Sequence, residues 1–344
     1  MTAAQPNPTI TVSAAPRAAR IFPFEPAAYA PHALHKGSRV FPETNCYVDL
    51  WIEVLHAVGL DPTAGLAFTL ASDFEGDQWT FFKYPLADLE DLYGVRTEEL
   101  AIWRSPAEHA LEQVARGRVV LMEVDAFYLP DVAGTSYRKE HAKTTIGIAA
   151  IDLEQKRCDY FHNAGYHAAT GEDFDGLFWI KRPWDGIDDH LLPYTEFTKL
   201  DRLRRLEGQA LTDRALGQLR RHLAARPSAN PFTAYAPRLV ADVERLRGER
   251  IEDFHLYAFA TLRQFGANFE LAASFLQWLA ARGEAGLEAP AADLLAIAEG
   301  AKTVQFRLAR AVNAKKPLNA ADALAELGAR WDAAIAALTA RYPA

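Results

Sequence analysis

The 344-residue chain is about half apolar and carries 45 acidic against 37 basic side chains, a formal net charge of −8. It can therefore bury a substantial core, but it lacks the concentrated cationic face that nucleic acid requires as a main partner. Two cysteines are too few for a disulfide framework, so the thiols read as free and the setting as cytoplasmic, and no apolar run approaches the roughly 18 residues of a bilayer span.

Residues 1–29 begin with MTAAQPNPTITVSAAPRAARIFPF, rich in Ala, Pro and Thr and without an acid, and are expected to form a poorly ordered arm. The stretch 41–59, FPETNCYVDLWIEVLHAVG, places Tyr47, Leu50, Trp51, Val54, Leu55 and Val58 on one helical stripe and stops at Gly59. Thr44 or Asn45 serves as the N-cap, which puts Cys46 in the first turn. Unpaired backbone N–H groups and the helix dipole favour a negative charge there, so the position suits a nucleophile. The competing expectation is a cysteine packed as a small hydrophobe.

PLADLEDLYG and PAEHALEQVARG follow as helices. Residues 117–130, 144–152 and 157–165 are expected as strands, the last two joined through LEQKR as an antiparallel hairpin. The aromatic-rich stretch 171–190 is expected as an ordered surface loop, with a lid over a cleft as the sharper alternative. From about residue 197 the pattern is nearly all helix, about six of them bounded by Gly, Pro or Asn. The expected class is α+β: residues 30–195 hold helices and an antiparallel sheet, and 196–344 form an all-helical domain.

Several side chains are candidates for chemistry. His141 lies where a loop enters a strand, and Asn163 lies on the partner strand of the hairpin. A base that takes the thiol proton and an amide or carboxylate that orients its ring are the partners a nucleophilic cysteine needs. His162 and His167 compete with His141, and Asp159 competes with Asn163. Cys158, His162 and His167 have C-x3-H-x4-H spacing, open to zinc, although a buried cysteine with surface histidines is the expectation and no metal is assigned. Lys302, Arg307 and Arg310 either meet a phosphate or form a solvated helix face. Arg263 and Glu270, in apolar helices, are expected to pair with each other.

TNCYVDLWIEVL, EVDAFYLPDVAGTSYRKEHAKTTIGIAAID and YFHNAGY resemble the cysteine-containing domain of butirosin-type acyltransferases, relatives of papain-like C39 peptidases, over roughly residues 30–190. The whole chain is similar to an uncharacterised bacterial family often encoded near amino acid:carrier-protein ligases. The resemblance implies a papain-like cysteine domain followed by a helical one, with Cys46 as nucleophile, His141 as base and Asn163 as the orienting residue. Papain-like peptidases place a glutamine several residues before the cysteine. The only upstream glutamine here is Gln5, so the Cys46 N–H with Asn45 or Thr44 is the expected oxyanion support, and proteolysis is the weaker expectation. The implied activity moves an aminoacyl or peptidyl group from the phosphopantetheine thioester of a carrier protein to Cys46 and then to an amine, with no cofactor bound. A thioesterase or amidase with the same residues and a non-catalytic carrier-binding module are the alternatives.

Overall fold

The computed structural model describes residues 17–180, 192–318 and 320–343. Its centre is an antiparallel sheet of seven strands: β1 (Ala18–Arg20), β2 (Arg96–Glu99), β3 (Val119–Asp125), β4 (Lys143–Asp152), β5 (Arg157–His162), β6 (Gly165–Thr170) and β7 (Thr195–Lys199). The order is β2-β7-β3-β4-β5-β6, and β1 pairs with the far end of β4, Ala18 opposite Asp152. Part of the expected N-terminal arm is therefore a strand. Its three residues extend the sheet where β3 has run out, and Ile21 continues the pairing through a bond to Ala149 O.

Alternation sorts the central strands into two faces. Val119, Leu121, Ala149 and Phe161 join the core beneath α1 (Cys46–Ala57), whereas Val120, Met122, Ile146, Ile148, Cys158 and Tyr160 join a second core. Beside that second core lie α3 (Pro106–Ala115) and α4 (Glu172–Leu177). Earlier in sequence α2 (Leu86–Tyr93) ends on Gly94 in the left-handed region, φ 70°, the glycine stop its sequence predicts. Both faces are covered, so β3 and β4 read as nearly unbroken apolar runs.

The helical half comprises α5 (Gly208–Ala224), α6 (Pro231–Leu246), α7 (Ile251–Ala258), α8 (Gln264–Ala280), α9 (Glu288–Asn313) and α10 (Ala321–Arg341), with one π-helical turn, Phe259–Arg263, between α7 and α8. Gly266 lies inside α8, where it serves close packing and not a helix stop. A Cβ there would lie 2.5 Å from Phe41 Cε2 and 2.9 Å from Ala301 Cβ. The core beneath α1 continues without a break into these helices. As a result α1 is buried on every side from Tyr47 to Leu55, Asp49 and Glu53 included, and not only along one stripe. Each fully buried Leu, Ile or Val there contributes about 1.5–3 kcal/mol relative to an exposed one.

The described part of the aromatic stretch, to Ile180, contains α4. The remainder of the expected lid lies outside the described residues.

Candidate functional site

Asn45 caps α1: its Oδ1 accepts from Val48 N at 3.0 Å, and its Nδ2 donates to Phe82 O at 3.0 Å. Cys46 is the first helical residue, half-buried and free. Its position follows from two clamps. On one side Asp49 accepts from Thr44 N and Thr44 Oγ1 at 2.8 and 2.7 Å. On the other, α8 reaches over the loop before the helix: Glu270 accepts from Val40 N and Phe41 N, both at 2.8 Å, and Arg263 Nη2 donates to Glu43 O at 3.0 Å. Arg263 and Glu270 therefore do not pair with each other as expected. Each holds the segment that delivers the thiol. The Thr44 hydroxyl is committed to Asp49 in the same way, whereas Asn45 Nδ2 spends one of its two N–H donors on Phe82 O. The Cys46 N–H meets no partner among the described residues and remains available.

The first turn of α1 is tied to the starting end of β7. Tyr47 Oη donates to Glu196 Oε2 at 2.9 Å, and Tyr194 Oη, one strand position nearer that end, donates to the same carboxylate at 3.0 Å. Further along α1, Val54 sits over Gly147, and Val58 O accepts from Arg205 Nη1 beyond β7. His141, two residues before β4, lies at the end of the sheet where β3 stops and β7 starts. Its Nδ1 is held by Asp125 Oδ2 at 2.5 Å, and its ring stacks on Phe127 with centroids 4.5 Å apart. Alternation from Leu121 places Asp125 on the α1 face. The imidazole is exposed, its Nε2 has no hydrogen-bond partner among the described residues, and no hydrogen bond joins the Cys46 sulfur to an imidazole.

The other sequence candidates make no hydrogen bond to His141 or Cys46 among the described residues. Asn163 occupies the two-residue turn between β5 and β6 with φ 46°, a left-handed conformation that asparagine tolerates. It makes no hydrogen bond to His141, whose Nδ1 is taken by Asp125. Asp159 is buried near the opposite end of β5, between Arg20 at 2.8 Å and Arg157 at 2.7 Å, and orients no histidine. His162 points to the second core, with Nδ1 on Asp131 at 2.6 Å and Nε2 on Thr144 at 2.8 Å. Both nitrogens are occupied. His167, tilted against Tyr160 on that side, is pulled below the usual histidine range by burial. Cys158 is fully buried, which pushes its thiol up. Four residues of strand separate it from His162, about 13 Å, so the C-x3-H-x4-H residues do not converge on one ion. Among the described residues no group of three or more His, Cys, Asp or Glu is arranged to hold a metal.

Behind the nucleophile position lies a buried network that the sequence did not announce. His35 is enclosed by two acids of α1: its Nε2 meets Asp49 Oδ1 at 3.2 Å and its Nδ1 meets Glu53, which also accepts from Tyr29 Oη at 2.5 Å and His32 N at 3.1 Å. Burial pulls the imidazole down, but its hydrogen bonds to Asp49 and Glu53 outweigh it and hold His35 at about 9. Glu53 is lowered despite burial by His35 and Tyr29. Two acids four residues apart in an otherwise apolar helix were the available signal.

Lys302 lies over Phe41 and Phe306, whereas Arg307 and Arg310 are exposed and join neither that contact nor the loop before Cys46. The expected trio is reduced to one lysine. Two concavities, about 220 Å³ at the C-terminal end of α1 and about 410 Å³ beside Arg20 and Asp159, do not touch Cys46. No helix of the described residues is long and apolar enough to cross a membrane.

No curated protein matches the chain. Residues 30–200 match the model of the DUF1839 N-terminal domain, spanning α1 and the sheet from β2 to β7, and residues 208–340 match that of the DUF1839 C-terminal domain, spanning α5 to α10. With both halves matched in order, the chain belongs to the DUF1839 family.

Proposed function

We propose that the protein is a cysteine-dependent acyltransferase in which Cys46 is the nucleophile, His141 the base and Asp125 the residue that orients His141. Two observations support this: a half-buried free thiol stands at the first position of a twelve-residue helix whose first turn is tied to β7, and an exposed imidazole before β4 has its Nδ1 fixed by a carboxylate. A ring held through Nδ1 presents Nε2 as its proton acceptor.

Cys46 Sγ attacks the carbonyl carbon of a thioester while Nε2 takes the thiol proton. The bond from carbonyl carbon to donor sulfur breaks, and the leaving thiolate recovers that proton. An amine then attacks the acyl-cysteine, its proton passes through His141 to the departing Cys46 sulfur, and an amide is released. Exchange between thioesters is nearly balanced and amide formation runs downhill, which suits a cysteine intermediate. The Cys46 N–H supplies an oxyanion donor. No hydrogen bond joins the sulfur to the imidazole in the free protein, so the proposed step requires the two to meet when substrate binds.

The donor we propose is an aminoacyl or peptidyl thioester on the phosphopantetheine of a carrier protein, a choice that rests on the resemblance of the Cys46, His141 and Asn163 segments to butirosin-type acyltransferases. Incubation with an aminoacylated carrier protein and intact-mass measurement tests it. An acyl adduct that an added amine discharges as amide supports transfer. Free acid released with no acceptor present makes the protein a hydrolase, and binding without adduct or release makes it a carrier-binding module.

A further inference from the structure

Three cations border the residues flanking Cys46. Lys83 Nζ lies 4.8 Å from the Tyr47 ring and 5.8 Å from Phe81. Phe81 faces Phe259 at 6.2 Å, and Arg263 Cζ lies 6.0 Å from Phe259 while donating to the carbonyls of Glu43 and Thr44. Lys302 Nζ lies 4.9 Å from Phe41 and 5.6 Å from Phe306. Among the described residues none of the three cations forms an ion pair, although the chain holds eight more acids than bases, 45 against 37. The neighbouring acids are otherwise engaged: Glu270 binds the Val40 and Phe41 amides, and Glu196 binds Tyr47 and Tyr194. Glu43, three residues before Cys46, is exposed.

Two further features set this rim apart from an ordinary solvated surface. Phe81, Phe259 and Phe306 are exposed large aromatics, and they alternate with the cations. Arg263 and Lys302 also repel each other: burial first, and then the Arg263 charge, pull the lysine below its ordinary range. The Glu270 carboxylate offsets part of this repulsion without pairing to the lysine, and the net shift stays downward, so an arriving anion relieves what is left. The π-helical turn is what turns Arg263 toward the loop, since it inserts one residue of extra winding just before α8.

We infer that Lys83, Arg263 and Lys302, interleaved with Phe81, Phe259 and Phe306, form an anion subsite at the mouth of the Cys46 site, where the acyl donor presents a phosphate or carboxylate. The inference rests on Cys46 being the nucleophile, and it adds that the donor is recognised by its negative charge at the mouth of the site. Arg263 is left in place in the test because it also holds the loop.

The experiment compares the rates at which iodoacetamide and iodoacetate alkylate Cys46 in the full chain, in wild type and in the double variant Lys83→Gln, Lys302→Gln. The two reagents differ by one negative charge, and the neutral one reports that the variant is folded and its thiol intact. Wild type is expected to favour iodoacetate, with a preference that falls about tenfold in the variant and likewise in high salt, while the iodoacetamide rate stays within about twofold. An unchanged preference in the double variant overturns the subsite. Failure of both reagents to label Cys46 overturns the nucleophile itself, and the subsite with it. Acetylpantetheine and acetylphosphopantetheine then separate the two anions: a phosphate-dependent rate that the variant loses assigns phosphate, and equal rates with the iodoacetate preference retained assign carboxylate.

Discussion

His162 and His141 are each held through Nδ1 by an aspartate, at 2.6 Å from Asp131 and 2.5 Å from Asp125, yet they belong to opposite faces of the sheet. The side chains of His162 and Asp131 are 2% and 4% exposed, those of His141 and Asp125 69% and 30%. Burial obliges His162 to satisfy its second nitrogen as well, and Thr144 does so. At the rim water can serve that nitrogen, so His141 keeps Nε2 open to a reacting group. The same imidazole–carboxylate pair is thus a piece of core architecture on one face and a proton acceptor on the other. His35, enclosed by Asp49 and Glu53, is a third case, in which full enclosure yields a buried cation that braces the nucleophile loop.

The contrast breaks most sharply at His141. His141→Ala is expected to lower acyl-adduct formation about 10²- to 10⁴-fold without unfolding the protein, and Asp125→Asn to lower it in the same direction through the wrong tautomer. His162→Ala is expected to destabilise the fold and leave the adduct rate of the remaining folded protein unchanged. Single-turnover rates and denaturant melts on the three variants decide. Equal rates in the His141→Ala variant and wild type would place the base elsewhere.

Asp49→Ala strips His35 of one carboxylate and leaves buried Thr44 N–H unpaired, at an expected cost of about 3–5 kcal/mol in urea unfolding. The brace is also sensitive to pH. His35 titrates near 9 when folded, against about 6.5 in an unfolded chain. The folded state therefore binds more protons between those values. The stabilisation is complete below about pH 6.5 and is lost as pH rises toward 9, by on the order of 2–3 kcal/mol. Urea midpoints at pH 6 and pH 9.5 should show this loss in wild type and a smaller one in His35→Gln.

The smallest effect sharpens the assignment of the orienting residue. Asn163→Gly is expected to be nearly neutral in both stability and adduct rate, and Asn163→Ala to cost about 1–2 kcal/mol through its left-handed backbone alone. A large loss of rate in the folded Asn163→Gly variant would restore Asn163 and displace Asp125.

What the sequence made legible was local. The Asn45 cap, the placement of Cys46, the turn between β4 and β5 and the helical second half all follow from capping, alternation and periodicity within short windows. Asp125 escaped because it closes the apolar strand β3 and meets His141 only through the β3–β4 register, sixteen residues apart. Its signal was an acid at the end of a strand whose alternate positions face α1. β7 escaped because it follows a long stretch without a strand pattern and inserts between β2 and β3. The roles of Arg263 and Glu270 were illegible for the same reason: their partners are backbone atoms more than 200 residues away.

The central claim is that acyl groups pass through the Cys46 sulfur. A thioester donor, intact-mass measurement and peptide mapping test it directly, with Cys46→Ala and Cys158→Ala as the two arms. Wild type and Cys158→Ala are predicted to gain one acyl group mapped to Cys46, and Cys46→Ala to gain none. An adduct of the same mass on Cys46→Ala, or one mapped to another residue in wild type, would contradict the account.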